Sequence, residues 1–240
     1  MSEAESAQVV TASDVLSLSF KSITSEPGWM VKVMIGSLIS YLAATTFVVN
    51  QLFLPLCVAL LGLSYGYLLR VMRQCIVDPS AKLPEWNNWV DLLISGISWA
   101  AIGMGFTFVG LGMVASVLII GAETGSCNIS DPRFSQWALA SFIGLFALFT
   151  CGHFFGAVLM ANFAEEESMA AGFAWLKVLK RIAKKPFLFL AAWLCAFALS
   201  ILATILPIAS MVFAVMTPFA IFFAQIIGAR LMARAWSASA

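Results

Sequence analysis

Six long apolar segments constrain this chain more than any other feature of its sequence. They cover roughly residues 29–49, 51–73, 97–120, 137–162, 187–205 and 208–231. A helix of about 20 apolar residues crosses the roughly 30 Å of hydrocarbon in a bilayer. Only 10% of the residues are charged, whereas about 25% are charged in soluble domains. The sequence therefore predicts an all-α polytopic membrane protein with six transmembrane helices.

The links between these segments group the helices into three hairpins within one membrane domain. Hairpins are predicted at residues 29–74, 97–163 and 187–233. We expect a cytoplasmic amphipathic or interfacial helix before each hairpin, within residues 11–28, 75–96 and 164–186. Residues 1–10 are expected to be a disordered cytoplasmic tail. The membrane domain then covers residues 11–240 and ends in a short tail at residues 234–240.

The distribution of basic residues predicts the orientation of the chain. The sequence has 13 Lys and Arg residues, and every one except Arg133 is on the inner side if both termini are cytoplasmic. An excess of Lys and Arg on the cytoplasmic side is the general rule for membrane proteins. We therefore predict a multi-pass protein of the cell (inner) membrane with cytoplasmic N and C termini.

The most basic stretch of the chain, residues 164–186, predicts a helix on the membrane surface. Its cations are candidate ligands for lipid headgroups: Lys177, Lys180, Arg181, Lys184 and Lys185. An acidic protein or a nucleic acid could also attract them, but a helix joined at both ends to membrane spans favours anionic headgroups. We predict membrane lipids as partners and no nucleic acid. The three glutamates at residues 165–167 are expected to complement the N-terminal dipole of this helix.

Two parts of the sequence resemble each other and predict a repeated unit. When Pro27 is aligned with Pro186, the paired residues are Phe20 with Leu179, Lys21 with Lys180, and Ile23 with Ile182. Each proline follows a short amphipathic segment and precedes a span. Because the units enter the membrane in the same direction, a pseudo-symmetry axis would lie along the membrane normal.

A motif after the second span resembles a prokaryotic family of polytopic membrane proteins, the domain of unknown function number four-thousand-and-thirteen. The residues that carry the resemblance are Gly66, Tyr67, Arg70, Arg73, Leu83, Pro84, Glu85 and Trp86. The segment FAEEESMAAGFAWLKVLKRI resembles the second half of the family. The resemblance implies a multi-pass helical fold, and it implies no activity and no catalytic residues.

Glycines in the second hairpin are candidates for helix packing or for an oligomer interface. Gly96, Gly103 and Gly110 recur every seven residues, and Gly152 and Gly156 are four residues apart. Small residues on one helix face allow close approach of a second helix in lipid. The sequence leaves intramolecular packing and self-association equally open.

His153 and Gln225 are candidate polar groups inside the membrane. An ionisable residue within a span suggests a proton relay or a ligand contact. However, no predicted span holds a buried Asp or Glu that could share such a role. A neutral imidazole that is hydrogen-bonded to a carbonyl or a serine is the favoured interpretation.

These observations favour a non-catalytic function. The sequence predicts no catalytic residue, no cofactor and no metal site, since it contains no plausible catalytic set or metal-ligand spacing. The leading hypothesis is an accessory or scaffold subunit that forms a homo-oligomer or binds a membrane-protein partner, and that binds anionic lipid. A small transporter or channel built from parallel hairpins is the alternative. An enzyme that acts on lipid headgroups is the third hypothesis.

Overall fold

The computed structural model of the chain describes residues 12–49, 51–125, 134–205 and 211–240. Within these ranges it has eight α-helices and no strand. They are α1 (Ala12–Thr24), α2 (Trp29–Val49), α3 (Leu54–Val77), α4 (Trp89–Glu123), α5 (Phe134–Glu166), α6 (Trp175–Lys184), α7 (Pro186–Ile205) and α8 (Met211–Ala238). Short 3₁₀ helices lie at Gln51–Phe53 and Met169–Phe173. The predicted tail at residues 1–10 and the predicted outer cation Arg133 lie outside the described residues.

Six of these helices are long and apolar enough to cross a membrane, namely α2, α3, α4, α5, α7 and α8. They coincide with the six predicted spans, because length and hydrophobicity alone determine which segments a bilayer accepts. The prediction of an all-α, multi-pass membrane protein is confirmed.

Short separate helices precede the first and third hairpins, and prolines explain where they stop. Because a proline restricts the residue before it, α1 ends before Pro27 and α6 ends at Lys184, just before Pro186. The second hairpin differs, since its amphipathic segment is continuous with the span in the 35-residue helix α4. No proline follows Trp89 in that segment, so nothing interrupts the helix.

The acidic stretch at residues 165–167 also differs from its prediction. Glu165 and Glu166 end α5, and Glu167 has a positive φ of 54° that stops the helix. A 3₁₀ helix follows, in which the Ser168 hydroxyl accepts from the backbone N–H of Ala171. The expectation that these glutamates complement a helix N-terminus is therefore wrong, because they lie at a helix C-terminus.

The buried core lies around one end of the bundle, which we call the basic end. Here the loop of residues 78–88 meets the start of α2, the ends of α3 and α8, and the start of α4, while Arg73 of α3 contacts the end of α5. The largest side chains that are fully buried include Trp236, Arg230, Tyr67 and Phe222. The central helix is α3, which contacts α2, α4, α5 and α8.

Apart from contacts of Phe106, His153, Phe154 and Phe155 with α6 and α7, the distal parts of α4 and α5 make few contacts with the rest of the described residues. We call residues 103–123 of α4 and 134–156 of α5 the exposed hairpin. In the most apolar window of each helix, 6% of α4 and 11% of α5 is buried, against 44% in α3 and 50% in α8. The chain thus combines a packed basic end with a hairpin whose apolar surface is left to lipid or to a partner.

Candidate functional site

The loop of residues 78–88 is fixed at the basic end by side chains from three helices. It has no regular secondary structure, so its carbonyl groups need partners from elsewhere. From α2, Lys32 donates a hydrogen bond to Leu83 O. From α3, Tyr67 donates to Pro84 O, and Arg70 donates to Glu85 O and Asn87 O. From α8, Arg230 donates to Ala81 O and Arg234 donates to Pro79 O. The loop therefore closes the end of the bundle as an ordered element.

Lys32 is the centre of a buried ion cluster under this loop. Its ammonium lies 2.6 Å from Glu26 Oε1 and 2.6 Å from Glu85 Oε1, and it donates to Leu83 O at 2.8 Å. Glu26 is also buried and accepts from the Leu83 backbone N–H at 2.7 Å. Because each charge has both an ionic partner and further hydrogen bonds, the desolvation of the pair is offset.

Two aromatic rings connect the loop to α3. Trp86 stacks on Tyr67 with ring centroids 4.0 Å apart and planes 5° apart. The Trp86 indole N–H also donates to Lys32 O at 2.9 Å, so the ring contacts both α3 and α2. Nearby, the guanidinium of Arg70 pairs with Asp91 at the start of α4 at 2.8 Å. The loop is thus tied to the first turns of both α2 and α4.

The backbones of α3 and α4 touch where their glycines meet. A Cβ atom added to Gly96 would lie 1.7 Å from Gly62 O, and one added to Gly66 would lie 1.9 Å from Leu92 O. Both obstacles are backbone atoms, which cannot move aside. Gly96, a candidate for packing or for an oligomer interface, therefore serves packing within the chain.

The other candidate glycines do not pack against any part of the chain that the structure describes. A Cβ atom added to Gly103, Gly110, Gly152 or Gly156 would meet no atom within 4 Å. All four lie in the exposed hairpin. Of the three glycines spaced seven residues apart on α4, Gly96 is packed, whereas Gly103 and Gly110 face open space.

The glutamates that end α5 are paired with two basic residues of α6. Glu165 lies 3.0 Å from Lys177 and 3.1 Å from Arg181, and Glu166 also pairs with Lys177. Partial burial acts to lower the pKa of Lys177, but its hydrogen bonds to Glu166 and Glu165 outweigh burial and raise that pKa. The Arg181 guanidinium stacks on the Trp236 ring at 4.1 Å. Lys177 and Arg181 are therefore engaged within the chain.

The remaining cations of the basic stretch face outward, as does most of its apolar side. Lys180, Lys184 and Lys185 are exposed. Leu176 is 76% exposed and Leu179 is 45% exposed, whereas Val178 is fully buried. An amphipathic helix with an uncovered apolar side fits a position at the boundary between headgroups and acyl chains.

The two predicted intramembrane polar residues lie apart. His153 is on α5, where its Nδ1 accepts from the Trp193 indole N–H at 2.8 Å. Its partner is thus an indole of α7 rather than a carbonyl or a serine. Gln225 is exposed on α8. In the described residues, no group of three or more His, Cys, Asp and Glu side chains could hold a metal ion.

A family model matches residues 51–218, which is more than two thirds of the chain. Its description is "Protein of unknown function (DUF4013)". The chain belongs to this family. The resemblance predicted from the sequence is thereby confirmed, and no curated protein or solved structure matches the chain.

The motif residues of the family converge on the ordered loop. Tyr67, Arg70 and Trp86 contact one another or the loop backbone, and Glu85 pairs with Lys32. Arg73 also reaches the end of α5, where it pairs with Glu167 at 2.8 Å. In this chain the motif builds the packed basic end.

Sequence reasoning missed Lys32, Glu26 and Arg230 as members of this cluster. Lys32 and Arg230 lie within apolar segments, where a charged residue needs an internal partner. The sequence thus contains a signal that both residues have partners inside the protein. Their partners in the loop could not be predicted, because Glu85 and the loop carbonyls are more than 50 residues away from them in sequence, although Glu26 is only six residues from Lys32.

Proposed function

We propose that this protein is a non-catalytic accessory or scaffold protein of the cell (inner) membrane that self-associates through its exposed hairpin. The observation that carries this proposal is the open space beside Gly103, Gly110, Gly152 and Gly156. Glycine weakens a helix interior by about 1 kcal/mol relative to alanine. Among the described residues no packing contact offsets that cost at these four positions, whereas a second helix brought close to them would do so.

The histidine beside Gly152 supports the same surface. Since the Trp193 N–H donates to His153 Nδ1, a neutral imidazole carries its proton on Nε2. The described residues provide no acceptor for that N–H, and His153 is an exposed residue. A polar hydrogen left unpaired in hydrocarbon is unfavourable, so an acceptor on a neighbouring copy would stabilise an oligomer.

The orientation of the chain is part of the proposal. With the basic end in the cytoplasm, the exposed Lys180, Lys184 and Lys185 meet anionic headgroups, and Leu176 and Leu179 enter the acyl boundary. Fusing a reporter that is active only in the periplasm to residue 240 tests this orientation. We expect no reporter activity, and strong activity would contradict the proposed cytoplasmic C terminus.

Native mass spectrometry of the full chain in a mild detergent tests self-association. We expect a defined oligomer, most simply a dimer, and we expect both Gly103→Leu and Gly156→Leu to shift it toward the monomer. Ala44→Leu is the matched control, because Ala44 is an exposed small residue of α2 outside the hairpin. A wild-type chain that stays monomeric at all concentrations, or an oligomer that both glycine variants leave intact, would contradict the proposal.

The alternative of a small transporter has less support. A transport path needs a hydrated cavity that runs between the spans. Of the cavities in the described residues, one lies between α2 and α8 and is lined mainly by Met30, Met34, Leu38 and Phe219. Another lies between α1, α7 and α8 and is lined mainly by leucine, phenylalanine and alanine, with Ser17 as its polar member. Such apolar surfaces suit lipid tails better than water.

A further inference from the structure

A groove of about 610 Å³ lies between α1, α7 and α8 at the basic end. Its polar and apolar lining residues lie at different ends. Lys185 and Arg234 are at its polar mouth, beside Pro79 and Ser80 of the ordered loop. The walls farther along α7 are apolar and include Leu188 and Cys195. A groove with charge at one end and hydrocarbon at the other is suited to an amphiphile.

The mouth of this groove carries positive charge. The ion pairs among the described residues do not include Lys185, and that lysine is exposed. Arg234 donates to Pro79 O at 2.9 Å. The nearby Asp78 accepts two hydrogen bonds from Ser80, which lower its pKa and keep it anionic. The mouth therefore holds an exposed ammonium group that no ion pair among the described residues neutralises.

The length of the groove matches one leaflet of a bilayer. Lys185 and Cys195 are ten residues apart along α7, which corresponds to about 15 Å of helix. Half of a hydrocarbon core of about 30 Å is the same distance. Alanines of α7 and α8 line the walls, where their small side chains leave room for an acyl chain, and Leu18 of α1 borders the groove.

We propose that this groove binds a single anionic glycerophospholipid, with the phosphate near Lys185 and Arg234 and one acyl chain along α7. The charge of the mouth selects the headgroup, and the apolar walls hold the chain. The site does not depend on self-association, since no residue of α4 or α5 lines it. It is also distinct from general attraction by the basic surface, to which Lys180 and Lys184 contribute equally exposed charges.

Native mass spectrometry of the delipidated full chain, titrated with dioleoylphosphatidylglycerol or dioleoylphosphatidylcholine, tests the site. We expect the anionic lipid to bind the wild-type chain more tightly. A lysine near an anionic headgroup contributes about 1 kcal/mol, so Lys185→Gln should weaken the anionic lipid about fivefold and the zwitterionic lipid less, because the choline cation offsets the phosphate charge. Lys180→Gln is the matched control and should change either affinity by less than about twofold, because exposed charges away from the mouth are screened.

A second variant tests the apolar wall. Ala191 is half-buried and lines the groove, so Ala191→Leu should weaken both lipids while the melting temperature stays unchanged. Equal binding of the two lipids by the wild-type chain would overturn the proposal. So would equal losses from Lys185→Gln and Lys180→Gln, which would indicate surface attraction only. Because bound lipid is counted per chain in each spectrum, these outcomes can be read whether the chain is a monomer or an oligomer.

Discussion

The glycines of the basic end and those of the exposed hairpin share a sequence pattern but have opposite surroundings. Gly96 touches the backbone of α3, whereas Gly103, seven residues later on the same helix, meets nothing within 4 Å. The burial of neighbouring large residues changes at the same point, since Ile102 is the last of them on α4 to be fully buried. A glycine stripe therefore shows that close approach is possible, and only the tertiary structure shows which positions the chain uses itself.

The largest difference is expected from the ion cluster under the loop. Lys32→Met leaves Glu26 buried without its cation, which should lower the free energy of unfolding by about 3–5 kcal/mol. Denaturation of the detergent-solubilised protein with SDS measures this change. Asp91→Asn is the comparison, because it breaks an ion pair whose aspartate is 57% exposed and should cost about 1 kcal/mol or less. Equal losses from the two variants would contradict the assignment of a buried cluster.

The next largest difference in stability is expected when glycine is changed to alanine at two positions of α4. Gly96→Ala places a methyl group against Gly62 O and should destabilise the fold by about 1–3 kcal/mol, since backbone atoms cannot yield. Gly103→Ala meets open space and should stabilise the monomer by about 0.5–1 kcal/mol, because alanine favours the helix. The same SDS titration, carried out on monomeric protein, checks both. A destabilising Gly103→Ala would indicate that the exposed hairpin packs within the chain.

A smaller effect on stability is expected at α6, where the neighbouring basic residues Lys180 and Arg181 differ in their contacts. Arg181 stacks on Trp236 and pairs with Glu165, so Arg181→Gln should cost about 1 kcal/mol. Lys180→Gln removes the same charge from an exposed position and should change stability by less than about 0.5 kcal/mol. Thermal unfolding followed by the tryptophan fluorescence of the two variants distinguishes these outcomes. Equal melting temperatures would show that the Arg181 contacts contribute nothing measurable.

The sequence was sufficient to predict the six spans because their length and hydrophobicity are local properties. The helix ends near Pro27 and Pro186 were predictable for the same reason. The partners of Lys32 were not, since they depend on how the loop of residues 78–88 folds across α2 and α8. Helical spacing also did not predict that Lys177 and Arg181 pair with Glu165 while Leu176 is exposed. The covered side of α6 depends on where the end of α5 packs.

The site predictions divide in the same way. Gly96 has a packing role that the structure explains, whereas Gly110, Gly152 and Gly156 acquire a role only if another chain covers them. His153 has a partner in Trp193, which the sequence could not supply because the two residues are 40 positions apart. Contacts between chains are equally invisible in one sequence and have to be measured.

Cross-linking in native membranes tests most directly whether the exposed hairpin joins two copies of the chain. Cys151 is exposed next to Gly152, whereas Cys57 and Cys75 are buried. With Cys127 and Cys195 changed to serine, a short thiol cross-linker should join two chains through Cys151. In the matched chain, Cys151 is also changed to serine and a cysteine replaces Val77, which is 84% exposed at the basic end. We expect a covalent dimer from the first chain and none from the second. The absence of a Cys151 dimer, or equal dimers from both chains, would contradict self-association through the exposed hairpin.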